Sequence, residues 1–166
     1  MAIILAFPVL ILSLMAQMVI LSQLVLLHGT ADIILLVLIA WSLQEKARSV
    51  WMWVIIGGLL VSLVSATPFY VYLIGYLMIT VIVRLLRKQV WQTPLLAMFV
   101  VTILGTFIQH LLIIVGLKVT GQPISWQESL SLVTLPSVIL NLLLSLPIYG
   151  VITDLASWVY PVEEKE

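Results

Sequence analysis

The sequence contains no cysteine, and only 8% of its 166 residues are charged. The first absence removes disulfide-built secreted folds and thiolate metal sites. The second removes an ordinary soluble domain, in which about 25% of residues carry charge. Intrinsic disorder is removed as well, because it requires low hydrophobicity. Net positive charge is also lacking: seven Lys and Arg balance seven Asp and Glu. The chain therefore has no electrostatic footprint for nucleic acid. What remains is apolar. Hydrophobic residues make up 63% of the sequence and the mean hydropathy is +1.28, a composition suited to a bilayer, which accepts apolar side chains all round a helix.

Polar breaks divide the chain into six apolar runs, residues 2–27, 31–43, 50–66, 69–86, 95–117 and 130–152. The expectation is a single all-α transmembrane domain of six helices. The first run exceeds the ~20 residues needed to cross a bilayer. It lacks the basic leader and small-residue cleavage site of a signal peptide, so a retained span is expected. The second run is short for a crossing and implies local thinning of the bilayer. Thr67-Pro68 is a turn signal that joins the third and fourth runs as a tight hairpin.

Basic residues set the expected orientation, because short loops rich in Lys and Arg stay in the cytoplasm. With both termini inside, Lys46, Arg48, Arg84, Arg87, Lys88 and Lys165 are cytoplasmic and Lys118 is outside. Trp41, Trp51, Trp53, Trp91 and Trp158 then fall near the inner boundary, and Trp126, Phe69, Tyr70 and Tyr72 near the outer one. Indole rings favour that interfacial depth.

Asp32, the first charged side chain, falls in the break at residues 28–32. On this reading no Asp, Glu, Lys or Arg stands in the middle of a span, which argues against ion-coupled transport. His110 is at depth in the fifth run beside Gln109, a setting for an interhelical hydrogen bond rather than a proton relay. His110 and His28 have no thiolate or carboxylate partners at zinc-ligand spacing, so neither a metal nor another cofactor is expected. There is no glycine-framed serine, no HExxH, no phosphate-cradling glycine loop and no carboxylate pair at depth, so no enzyme chemistry is expected.

The uncharged polar residues are better ordered. Thr134, Ser137, Asn141 and Ser145 recur at steps of three and four, which places them on one face of the last helix, turned from lipid. Gly58, Ser62 and Ala66 form a small-residue stripe on the third helix. Such stripes pack helices within a bundle or receive another protein's helix. Gly58, Ser62 and Ser65 are the expected partner-helix surface, and Tyr72, His110 and Asn141 are the residues from which an internal pocket would be built. Pro136 and Pro147 each remove a backbone hydrogen bond and bend the last helix.

The chain resembles the MreD family of rod-shape proteins over nearly its whole length. The resemblance rests on its size, its six runs and three patterns. The stretch Ala31-Asp32-Ile33-Ile34-Leu35-Leu36 to Trp41 is similar to the family's Pro-Asp or Pro-Asn opening of the second span. Gly58-Leu59-Leu60-Val61-Ser62 is similar to its Gly-apolar-apolar-apolar-Asp pattern, with Ser62 in place of the acid. Asn141 and Pro147 match its last-span Asn and Pro. Ala31 departs from the usual proline, and the serine removes any charge-dependent role at position 62. The resemblance implies a non-catalytic scaffold that binds the single helix of MreC and, through it, RodA and a class B penicillin-binding protein, in the bacterial cytoplasmic membrane. It also implies a fold similar to the substrate-binding subunits of energy-coupling-factor transporters. That leaves a vitamin-binding subunit as the alternative function.

Overall fold

The computed structural model describes residues 2–19, 28–47, 49–87 and 93–161. The end of the expected first span (20–27), together with Arg48, Lys88, Trp91 and Lys165, lies outside the described residues. The chain is all-α, with α1 (Ala2–Val19), α2 (Ile33–Leu43), α3 (Val50–Val64), α4 (Phe69–Arg87), α5 (Pro94–Val119) and α6 (Trp126–Val159). Four of these, α1, α4, α5 and α6, are long and apolar enough to cross a membrane. A π-helical stretch, Ser129–Thr134, lies inside α6.

The shortest helix is the centre. α2 has 11 residues, apolar on every side apart from Ser42, and Ile34 through Leu43 are all buried. A helix without a polar face suits a core or a bilayer, and α2 is in the core, where it touches each of the other five. Burial from lipid brings no hydrophobic gain, so this contact is held by close packing and interhelical hydrogen bonds. α3 and α4 form the tight hairpin expected from Thr67-Pro68.

One end of the bundle gathers the basic residues. Arg84 donates to the carbonyl of Ala47 at 2.8 Å, and Arg87 to those of Gln44 at 2.9 Å and Glu45 at 3.1 Å. These guanidiniums close the α2–α3 loop by satisfying its free carbonyls. At the same end Trp41 and Trp53 stack at 4.1 Å with both rings fully buried, and Trp53 donates to the carbonyl of Ala2 at 3.0 Å. Both rings are core, because α2 is enclosed and leaves Trp41 no open face, and they stand at the same basic end to which the sequence assigns them. Trp51 and Trp158 are exposed.

Candidate functional site

The break at residues 28–32 is not an external loop. It is an extended strap laid along the first half of α6, and each of its links has a local cause. Pro136 has no N–H, so the carbonyl of Leu132 loses its helical donor. The amide of His28 takes that place at 3.1 Å. Gly29 lies so close to α6 that a Cβ there would meet Pro136 Cβ at 2.6 Å and the Ser137 nitrogen at 2.7 Å. The amide of Thr30 donates to Ser137 Oγ at 3.0 Å, and that of Asp32 to Asn141 Oδ1 at 2.8 Å.

The register follows from geometry. Four extended steps of about 3.3 Å cover ~13 Å, and the nine helical steps from Leu132 to Asn141 cover about the same distance at ~1.5 Å each. The polar face of α6 is therefore matched to the amides of the strap. Asn141 also donates to Thr106 Oγ1 at 2.9 Å, and Thr106 donates to the carbonyl of Thr102 at 2.7 Å. Thr106 stands about halfway along the 26-residue α5, so the strap ends in the middle of the bundle.

The strap also lengthens the second apolar run. The helical part of α2 is about 16 Å long at ~1.5 Å per residue. Strap and helix together reach the ~30 Å of a hydrocarbon core. Non-helical backbone is tolerated at that depth when protein satisfies its polar groups, and here side chains do so. Asp32 caps α2 by accepting from the Leu35 amide at 2.9 Å, and Gln17 Oε1 accepts from the Ile33 amide at 2.9 Å. The Asp32 carboxylate also accepts from Tyr76 Oη at 2.8 and 3.0 Å. The expectation that no formal charge lies at mid-span is thereby corrected. Asp32 sits level with Thr106, because the break that carries it runs inside the bundle.

Beside the strap is a half-open cavity of about 280 Å³. Gln17, Thr30, Asp32, Tyr72, Gln109 and His110 form its polar side, and Ile113, Leu117, Ile124 and Val133 its apolar side. The Thr134 hydroxyl donates to the carbonyl of Ser129 at 3.1 Å, within the π-helical stretch. Its single proton being used, it accepts from His110 Nδ1 at 3.1 Å, and Nε2 of that ring is left without this proton. Gln109 is 1% exposed, and neither its Nε2 nor its Oε1 has a hydrogen-bond partner. Gly75 on α4 makes room for this amide, since a Cβ there would overlap Gln109 Oε1.

The structure brings Tyr72 and His110 to the wall, as expected of a pocket. Asn141 stands behind the wall and holds Asp32. Tyr70 and Trp126 do not line the cavity, and Lys118 lies over the Trp126 ring at 4.5 Å. Asp32 and Gln109 were not assigned to a pocket from sequence. A signal for Asp32 was present in the four-residue rhythm of α6, which requires a polar partner somewhere in the fold.

Of the residues expected to form a partner-helix surface, Gly58 is covered and Ser62 and Ser65 are half-buried. Gly58 is buried against α4, where a Cβ would meet Leu73 Cα at 3.0 Å. Ser62 donates toward the carbonyls of Gly58 at 2.6 Å and Phe69 at 2.7 Å, and Ser65 pairs with Thr67 at 2.9 Å. The stripe is the seam and turn of the α3–α4 hairpin, so Gly58 is not open to another chain. Comparisons with family models, curated proteins and solved structures return no match for this chain.

Proposed function

We propose that this chain is a non-catalytic scaffold of the bacterial rod-shape machinery, with the role that its resemblance to MreD implies. It resides in the cytoplasmic membrane with both termini inside, the basic end of the bundle, with Lys46, Arg84 and Arg87, facing the cytoplasm. It binds the membrane helix of an MreC-like partner and, through it, acts on RodA and a class B penicillin-binding protein in peptidoglycan synthesis. One observation supports the reading: the polar residue of the last-span pattern, Asn141, accepts at 2.8 Å from the backbone amide of Asp32, which opens the second-span pattern 109 residues away, so the two stretches behind the resemblance meet in the fold.

A partner helix docking on α3 meets its exposed side, with Ile55, Leu59 and Leu63, because the Gly58 side is filled by α4. The absence of cysteine makes the test direct. A single cysteine at Leu63 is cross-linked in native membranes, and the tagged chain is purified in mild detergent. An adduct with a single-span cell-wall subunit supports the scaffold. Recovery of an ATPase module with a coupling subunit supports the alternative, a vitamin-binding transport subunit, which the 280 Å³ cavity favours.

A further inference from the structure

We infer that the cavity beside the strap is a binding site for an amine-bearing amphiphile, a ligand with a primary ammonium group and a small apolar body. Three observations converge. First, the cavity holds the carboxylate of Asp32, and no Lys or Arg is among its lining residues. A carboxyl group in a low-dielectric interior either takes up a proton or pairs with a cation, and a cationic ligand in this cavity supplies the pair. Second, Gln109 is buried on the wall with both ends of its amide unpartnered, whereas Asp32 and His110 beside it are hydrogen-bonded. Buried amides are normally paired, and a ligand in this cavity supplies the pairing. Third, the polar side includes two acceptors, the Asp32 oxygens and the Nε2 of His110, which suit the N–H donors of an ammonium group.

The remaining wall is aliphatic and suits an apolar body. The volume of about 280 Å³ limits the enclosed part to a small molecule. The half-open side lets a longer tail leave the bundle. An ethanolamine lipid headgroup and a free aromatic or alkyl amine present the same chemistry. The inference does not rest on the partner proposed above, because an amine titration reads the cavity whereas cross-linking reads the neighbour.

The test uses the full-length protein, delipidated in mild detergent, with phenethylamine as the free probe and 2-phenylethanol as its uncharged counterpart. Thermal unfolding and calorimetric titration read binding. The expected result is saturable stabilisation by the amine, with the alcohol at least tenfold weaker. Asp32→Asn keeps a capping oxygen but removes the charge, and should lower amine affinity tenfold or more. Ile113→Phe fills the cavity without touching its hydrogen bonds, and should abolish binding while the protein still unfolds cooperatively.

Native mass spectrometry from nanodiscs of equal phosphatidylethanolamine and phosphatidylglycerol distinguishes the source. Retention of the ethanolamine lipid by the wild type, lost in Ile113→Phe, assigns the site to a lipid headgroup. Phenethylamine binding without lipid retention assigns it to a free amine. Equal response to amine and alcohol, undiminished amine binding by a folded Ile113→Phe, or no binding of either amine source overturns the inference.

Discussion

Asn141→Ala tests the strap at its deepest point. The side chain works at both ends, accepting from the Asp32 amide at 2.8 Å and donating to Thr106 at 2.9 Å. Alanine leaves the Asp32 amide at mid-bundle without a partner, and an orphaned buried donor costs about 1–3 kcal/mol. The lost bond to Thr106 adds ~0.6 kcal/mol, the average for interhelical side-chain bonds in a membrane. The sum is about 1.6–3.6 kcal/mol, or roughly 15- to 400-fold in the unfolding equilibrium at 1.4 kcal/mol per tenfold. Equilibrium unfolding in mixed micelles, or steric trapping in bicelles, reads this directly. The double variant with Thr106→Val should be less destabilised than the two singles added together, since each removes the same bond. A loss below about 0.5 kcal/mol, within the range of ordinary surface substitutions, would refute the reasoning, as would strict additivity.

Four further substitutions probe the strap, the Asp32 cap and the α3–α4 hairpin. Gly29→Ala drives a methyl group into Pro136 and the backbone of Ser137 and should destabilise by about 1–3 kcal/mol, as overpacking does; Gly150→Ala in α6 meets nothing within 4 Å and should stabilise by about 0.5–1 kcal/mol. Unfolding midpoints that moved together would contradict this. Tyr76→Phe removes both hydroxyl contacts to the Asp32 carboxylate and should cost about 1.5–3 kcal/mol, the range for bonds to charged groups, measured by the same unfolding assay. Gly58→Leu should collide with Leu73 and loosen the α3–α4 hairpin, seen as new protease sites near residues 65–68. Lost partner recovery with an intact hairpin would return the Gly58 stripe to the role expected from sequence.

The six helices were legible because apolar runs punctuated by Thr-Pro and charged breaks leave little choice of architecture. The face of Thr134, Ser137 and Asn141 was legible too, since a step of three and four fixes a helical side whatever it meets. Its occupant was not. Periodicity identifies a polar face but not the element laid on it, and the strap has no periodicity of its own. A short stretch such as His28-Gly29-Thr30-Ala31-Asp32 has the same composition in an aqueous loop as in a groove that satisfies its amides. Asp32 was consequently placed in water, and the charge at depth was missed. The Gly58 stripe shows the same limit: small residues reveal close approach but do not say whose helix approaches, and here it is α4. Trp41 and Trp53 carried an ambiguous signal because an indole suits both an interface and an enclosed stack. Only the burial of α2 on every side decides between them.

The strap is a hydrogen-bonded part of the helical bundle. Residue-resolved amide hydrogen exchange by NMR, with the protein in nanodiscs, tests it most directly. The account predicts that the amides of His28, Thr30 and Asp32, which donate to Leu132, Ser137 and Asn141, exchange as slowly as those of α2, and that Asn141→Ala releases Asp32 first. Exchange of all three at the rate of an open aqueous loop would contradict it.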